Sequence, residues 1–288
     1  MAIRRSCSAE HHVRRSFLED MPLSIKRYRY RGKEHLLYIT DLEFDCFQRS
    51  KNDPRSTNAP SEYILFQIDG DTFARDFLDP TVNDIPSISA FDTDENLVLI
   101  KMHSPEHAHA ADTFASKVMN KIRDMGLETQ IQRFPGTTIT AGNRGKQADQ
   151  GWGPIHPPPG YDRKPTVVLE VTVSESQAKL ERDVQFWLDP AQGNANIALT
   201  LKINRKRPVV TIEKWQWDGA NGRTQRVQRI EIAESPSGDR ITVSNAPLII
   251  PFELLMRRTR SSPAEVDIII DVQDLEEIAD GIWIIQEF

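Results

Sequence analysis

An α/β core extended by an antiparallel β meander is predicted by three features of the chain. Ser104-Pro105-Glu106 opens a helix whose apolar residues recur at Ala111, Ala115, Val118, Ile122 and Met125. Thr166 to Val173 is almost continuously apolar, as a strand buried on both faces is, and a second capped helix follows it. Beyond residue 196 the pattern alternates with period two between short turns, the mark of paired antiparallel strands.

Taken in order, Met1 to Arg15 shows no periodic segment, and Leu36 to Thr40 reads as a strand. Lys51 to Ser61 reads as a loop, rich in Asn, Pro and Ser. Tyr63 to Ile68 is a strand stopped by Asp69-Gly70-Asp71, and Asp79 to Ser89 is loop-like, so residues 1–95 form an accessory N-terminal region. Leu97 to Met102 is a short apolar strand. In the helix after it, Ser104 is the N-cap, Pro105 fits the first turn, Glu106 faces the positive dipole end, and Gly126 stops the helix. Glu128 to Phe134 and Thr137 to Asp149 are extended, the latter with a turn at Gly142–Gly145, and Gly153 to Pro165 is a Pro-rich connection. Ser174 and Gln177 form a capping box before the apolar face Leu180, Val184, Trp187 and Leu188. Asn196–Ile203, Val209–Trp217, Arg226–Ala233 and Arg240–Ser244 are strands, with Trp215 and Trp217 on one face. A strand at Val266–Ile270 and a short amphipathic helix at Leu275–Trp283 close the chain. The core thus covers residues 96–217, and residues 218–288 form a β extension with an acidic C-terminal segment.

Composition narrows the function classes. Two cysteines in 288 residues exclude a disulfide framework. There is no apolar run of about 18 residues and no signal-peptide core, so a soluble, intracellular protein (cytoplasmic or nuclear) without a membrane partner is expected. The net charge of −6 argues mildly against nucleic acid as a partner. It is unevenly spread, however: residues 1–34 hold nine bases, and residues 265–288 hold eight acids and no base. Without that last segment the chain is net positive, so the charge does not exclude a nucleic-acid ligand. The two runs read as solvated surface, or as a head and tail attracting one another within the chain or between copies of a homo-oligomer.

Glu170 is the residue a folded core has to explain, because a carboxylate in the middle of a central strand must be paired or metal-bound. Asp149 lies on, or at the end of, the preceding extended segment. Two carboxylates on adjacent strands can share Mg²⁺ or Mn²⁺, which orients water and stabilises charge on a phosphoryl oxygen. A nearby lysine adds to that stabilisation.

The order helix, strand, strand, strand, helix, strand, with Lys146-Gln147-Ala148-Asp149, the Pro-rich connection, Pro165–Val171 and Ser174–Asp183, resembles the PD-(D/E)XK, or restriction-endonuclease-like, nuclease superfamily, and within it a group of uncharacterised fungal proteins. The resemblance covers about residues 97–217. It implies metal-dependent hydrolysis of phosphodiesters in DNA, or less readily RNA, with Asp149 and Glu170 as metal ligands. Glu106, on the first helix, is a further acid that the resemblance allows in the cluster. Two positions depart from the pattern: Ala148 stands where the first motif has proline, and Thr172 where the lysine is expected. Lys179, supplied from the following helix, or Lys146 then takes the lysine's catalytic role.

Each of these has a plainer reading. Asp149 can cap a turn, Glu170 can pair with a buried arginine, and Lys179 can pair with Asp183 at i, i+4. His103 and His107 have metal-like spacing, but the sequence offers no fourth ligand beside them. Arg144, Lys164, Arg205, Lys206 and Arg207 are the candidate phosphate contacts. The rival function is a binding module that keeps the nuclease fold without its activity, favoured by Thr172 and by the net charge.

Overall fold

The computed structural model describes residues 21, 25–50, 61–77, 88–173, 175–235 and 240–288. The chain is a mixed α/β protein built on two large sheets and one short ribbon. The first sheet has six strands in the order β1-β2-β4-β3-β7-β6: β1 (Lys26–Arg29), β2 (Tyr63–Gln67), β4 (Leu97–Lys101), β3 (Ile88–Asp92), β7 (Arg144–Gln147) and β6 (Thr138–Ala141). The second has seven, in the order β13-β12-β11-β10-β9-β8-β5. These are β13 (Ile241–Ser244), β12 (Arg223–Glu234), β11 (Val209–Asp218), β10 (Ile197–Ile203), β9 (Val167–Thr172), β8 (Gln150–Pro154) and β5 (Ile131–Arg133). β14 (Leu248–Ile250) and β15 (Ile268–Ile270) form the ribbon.

The long helix α3 (Pro105–Asp124) forms for the reasons its sequence advertises. Ser104 Oγ accepts from His107 N, Pro105 starts the first turn, and Lys121 and Arg123 complement the negative C-terminal end. Its buried stripe (Ala111, Phe114, Val118 and Ile122) packs on one face of the seven-stranded sheet together with α6 (Val272–Gln286). On the other face of that sheet α4 (Gln177–Leu188) lays Val184, Trp187 and Leu188 against Val168, Ala198 and Trp215. The six-stranded sheet is covered on one face by α1 (Lys33–Arg49) and α2 (Gly70–Phe77) through Leu36, Ile39, Phe47 and Phe73. Two glycines allow close approaches. A Cβ at Gly145 would lie 2.2 Å from the Phe91 ring on the neighbouring strand, and one at Gly281, mid-α6, would lie 2.3 Å from His109 on α3.

Several expectations are corrected. Leu36–Thr40 is helical: its buried residues Leu36, Ile39, Glu43 and Phe47 follow a helical period over 17 residues, which outweighs five β-like positions. The cap of α4 is Ser176, whose Oγ accepts from Lys179 N; Ser174, expected in that role, lies outside the described residues. Residues 150–154, partly assigned to the Pro-rich connection, are a core strand centred on the buried Trp152. Gly151 and Gly153, the latter placed in the Pro-rich connection by sequence, let Pro165 and the Lys164 backbone lie close against that strand. The boundary at residue 95 falls in the β3–β4 turn, and the six-stranded sheet continues across it to β6 and β7. The boundary at 217 falls inside β11.

The acidic C-terminal segment is not a solvated tail. Leu275, Ile278, Ala279 and Ile282 of α6 are fully buried. Asp274 pairs with Lys117 at 3.1 Å and with Lys121 at 3.0 Å, Glu277 also pairs with Lys117, and Glu265 pairs with Arg258 at 2.6 Å. The basic run before residue 21 and the loops expected at 51–60 and 79–87 lie outside the described residues. Among the described residues no helix is long and apolar enough to cross a membrane.

Candidate functional site

Strand periodicity and register build the site. β2 and β4 pair with Tyr63 opposite Lys101, and β3 and β7 pair with Ala90 opposite Lys146. All four therefore look out from the face of the six-stranded sheet that carries Leu65 and Leu99. That face meets β9, where Val167, Leu169 and Val171 point into the α3–α6 core and Val168, Glu170 and Thr172 point the other way. Asp149 sits at the entrance to β8, and α4 brings Lys179 and Asp183 to the same seam.

The result is a nearly continuous set of buried ion pairs. Lys101 Nζ lies 2.8 Å from Asp149 Oδ2 and 3.9 Å from Glu170 Oε2, and donates to the Val171 carbonyl at 2.7 Å. Asp149 Oδ2 also accepts from Val171 N at 2.7 Å. Glu170 Oε1 accepts from Trp187 Nε1 at 2.6 Å and faces Lys146 Nζ at 3.2 Å. Lys146 reaches Asp183 at 2.8 Å, and Lys179 lies between Asp183 (2.7 Å) and Glu175 (2.6 Å). Tyr63 Oη donates to Glu175 at 3.1 Å. Thr172, at the position where lysine was expected, has its hydroxyl on Glu62 Oε1 (3.1 Å), which also accepts from Val173 N.

Four of these carboxylates face three ammonium groups, so one negative charge is uncompensated among them when all are ionised. Burial lifts Glu170 to about 7, with Asp149 adding to the rise and Lys146 and Lys101 opposing it. Burial also disfavours charge on Asp149, but His107 and Lys101 outweigh it and hold that carboxyl well below the usual range. Burial works against the charge on Lys101 as well, and Asp149 and Glu170 keep it above the ordinary lysine value. Asp183 is held at about 2, burial being outweighed by Lys146 and Lys179. Burial lowers His107.

The other oxygen of Asp149 has different neighbours. His107 Nε2 lies 3.1 Å and His103 Nε2 3.4 Å from Oδ1, and the two rings stack with centroids 4.5 Å apart. His103 is the solvent-facing member, its side chain 35% exposed. A cavity of about 40 Å³, bordered by Ser89, Lys101, His103, Gln147 and Asp149, opens beside them, enough for a water molecule.

Of the residues singled out in the sequence, Asp149, Glu170 and Lys146 meet here. Lys179 is held by Asp183 and Glu175. Glu106 is buried with Arg205 Nε at 3.9 Å, and the Arg205 guanidinium lies over the Phe47 ring. Arg144 is bound to Asp92 at 2.6 Å, and Lys164 faces Asp162 at 3.4 Å. Lys206 and Arg207 are exposed in the β10–β11 turn. Sequence reasoning missed Lys101 and Glu62. Lys101 carried one usable signal: it ends an apolar strand in phase with Leu97 and Leu99, as a core-facing residue would.

No protein-family profile matches the chain, and no curated protein matches it. One solved structure that resembles it comes from Anabaena variabilis and is described as "a putative nuclease belonging to DUF820". The likeness has a TM-score of 0.39 at 13% sequence identity and covers 73% of this chain and 97% of that one. A likeness of this size assigns neither fold nor activity.

Proposed function

We propose that the protein is a cation-dependent phosphodiester hydrolase acting on nucleic acid, DNA before RNA, built on a restriction-endonuclease-like core. The observation that carries this reading is the convergence of Asp149, Glu170 and Lys101 beside a cavity that borders solvent-facing His103. The strand order supports the core assignment. β8 pairs antiparallel with both β5 and β9, and β10 runs parallel to β9 after the crossover through α4, with α3 preceding them all.

A Mg²⁺ ion shared by Asp149 and Glu170 does not fit this arrangement. The Lys101 ammonium stands between the two carboxylates, Asp149 Oδ2 already accepts from Lys101 and Val171 N, and Glu170 Oε1 accepts from Trp187. In this reading Lys101 stabilises the charge that builds on the phosphoryl oxygens as water attacks phosphorus and the ester oxygen leaves. Asp149 borders the cavity, and in this reading its Oδ1 orients the attacking water. Glu170, fixed by Trp187 and Lys146, keeps Lys101 in place. Asp149 Oδ1 would hold a divalent cation, Mn²⁺ before Mg²⁺, which would supply further charge stabilisation.

The test is incubation of purified protein with supercoiled plasmid, single-stranded DNA and RNA in Mg²⁺ or Mn²⁺, beside Lys101→Met and Glu170→Gln. Cleavage by the parent protein and loss of about 10²–10³-fold in both variants is expected. Equal rates in parent and variants contradict the proposal. A second reading, a non-catalytic binding module, is favoured by Lys101 already standing between the two carboxylates, beside a cavity of only about 40 Å³. Nucleic-acid binding without cleavage under every cation would support it.

A further inference from the structure

The ligand set at the entrance to β8 differs from the one the sequence suggested. His103, His107 and Asp149 each offer one ligand atom, and these atoms lie within 4.8 Å of one another. The two spacings to the carboxylate are those of a coordination polyhedron. Metal–ligand bonds of about 2.0–2.1 Å place neighbouring ligand atoms about 3.0–3.4 Å apart, and the two imidazole nitrogens stand 3.1 and 3.4 Å from Asp149 Oδ1.

The surroundings of the three groups are divided in the way a metal site requires. Asp149 Oδ2 is tied to Lys101 and Val171 N, which leaves Oδ1 directed at the two rings. His107 is 1% exposed; its Nε2 faces only Asp149 Oδ1, at 3.1 Å, and its Nδ1 makes no hydrogen bond. A buried imidazole in that condition calls for a partner. Glu62 Oε2 stands 3.9 Å from His107 Nδ1, the position of a carboxylate that orients a metal-bound histidine, and its other oxygen is fixed by Thr172 and Val173 N. His103 precedes the α3 cap and His107 lies in its first turn, so the rigid start of the helix sets their relative placement. The cavity of about 40 Å³ adjoins His103 and Asp149 and leaves room for a water at an open position.

We propose that His103, His107 and Asp149 form a site for one borderline divalent transition ion (Zn²⁺, Mn²⁺, Fe²⁺ or Co²⁺) in preference to Mg²⁺. Two imidazoles and one carboxylate suit such ions, whereas Mg²⁺ prefers an all-oxygen shell. Binding of the ion stands on this geometry alone; its use in catalysis rests on the hydrolase reading above.

The probe is Co²⁺, whose visible absorption reports nitrogen coordination. Full-length protein stripped with chelator is titrated with CoCl₂, alone and in the presence of excess MgCl₂. His11 and His12 could bind Co²⁺ on their own, so a variant with both replaced by Ala is run in parallel. One equivalent is expected to bind in both proteins, with little competition from Mg²⁺. His103→Ala, the mild variant at the half-exposed position, is expected to raise the Kd about 100-fold, and Glu62→Gln about 10- to 100-fold, with circular dichroism confirming that each stays folded. Glu170→Gln is expected to retain the Co²⁺ spectrum. Binding unaffected by His103→Ala, binding lost in the His11/His12 variant, or equal competition by Mg²⁺ overturns the site. Co²⁺ binding without cleavage of any nucleic acid leaves the site standing and removes the hydrolase reading. Cleavage of nucleic acid by a protein that binds no Co²⁺ at His103 does the reverse.

Discussion

The two faces of β9 are built on opposite principles. Toward α3 and α6 the strand presents Val167, Leu169 and Val171 to a continuous apolar core, where stability follows from volume filled and area removed from water. Toward the six-stranded sheet the same strand presents Glu170 and Thr172 to Lys101, Lys146, Glu62 and Trp187, all nearly as buried. There the cost of desolvating charge is met by pairing, and every member depends on its partner. One face tolerates changes that conserve size. The other tolerates only changes that conserve charge balance, and a site that pays for its position in this way is a better candidate for chemistry than for stability.

This contrast can be tested by substitution. Lys101→Met is expected to have the largest effect, about 3–5 kcal/mol in urea unfolding, because it leaves Asp149 and Glu170 buried without their shared cation. Adding Asp149→Asn should recover a large part of that loss; a double variant no more stable than Lys101→Met would show that pairing is not what governs this face. Leu169→Ala is expected to cost about 2–5 kcal/mol through the cavity it leaves. Its counterpart Leu169→Met should cost less than about 1.5 kcal/mol, and equal losses in the two would mean that volume is not the controlling quantity.

Thr172→Val comes next. It removes the hydroxyl that donates to Glu62 and accepts from Glu175 N, and about 1–2 kcal/mol is expected. An unchanged denaturation midpoint would indicate that the Glu62 carboxylate is satisfied without Thr172. The smallest effect concerns an ion pair outside the seam. The hydrogen bonds from Arg258 and Ser261 N hold Glu265 at about 2, below its ordinary value of 4.5. Its contribution is therefore complete above the unfolded pKa and disappears as pH falls from about 4.5 toward 2. The stability difference between the parent protein and Arg258→Ala should shrink across that window; a difference constant with pH would contradict it.

Much of the element order of residues 97–244, though not β8, was legible in the sequence because its signals are local. The Ser104-Pro105-Glu106 cap, the apolar run of β9 and the period-two strands from β10 to β13 are each decided by neighbours within a few residues. The acid in the middle of β9 was also visible, and so was the need for something to balance it. The partners were not. Lys101 at the end of β4, which balances Glu170, and Glu62 just before β2, which holds the neighbouring Thr172, lie 69 and 108 positions from Glu170 in the chain. Only the register of β2 with β4, and the packing of that sheet on β9, aims Lys101 at Asp149 and Glu170 and sets Glu62 against Thr172. The same holds for the acidic C-terminal run. Its charge is plain in the sequence, but its place is set by the apolar stripe of α6 against α3, whose lysines then pair with Asp274 and Glu277. Short-range propensity fixes which segments are helix or strand; which charges meet is decided by long-range packing, since desolvation makes each buried ion depend on a partner that no local pattern names.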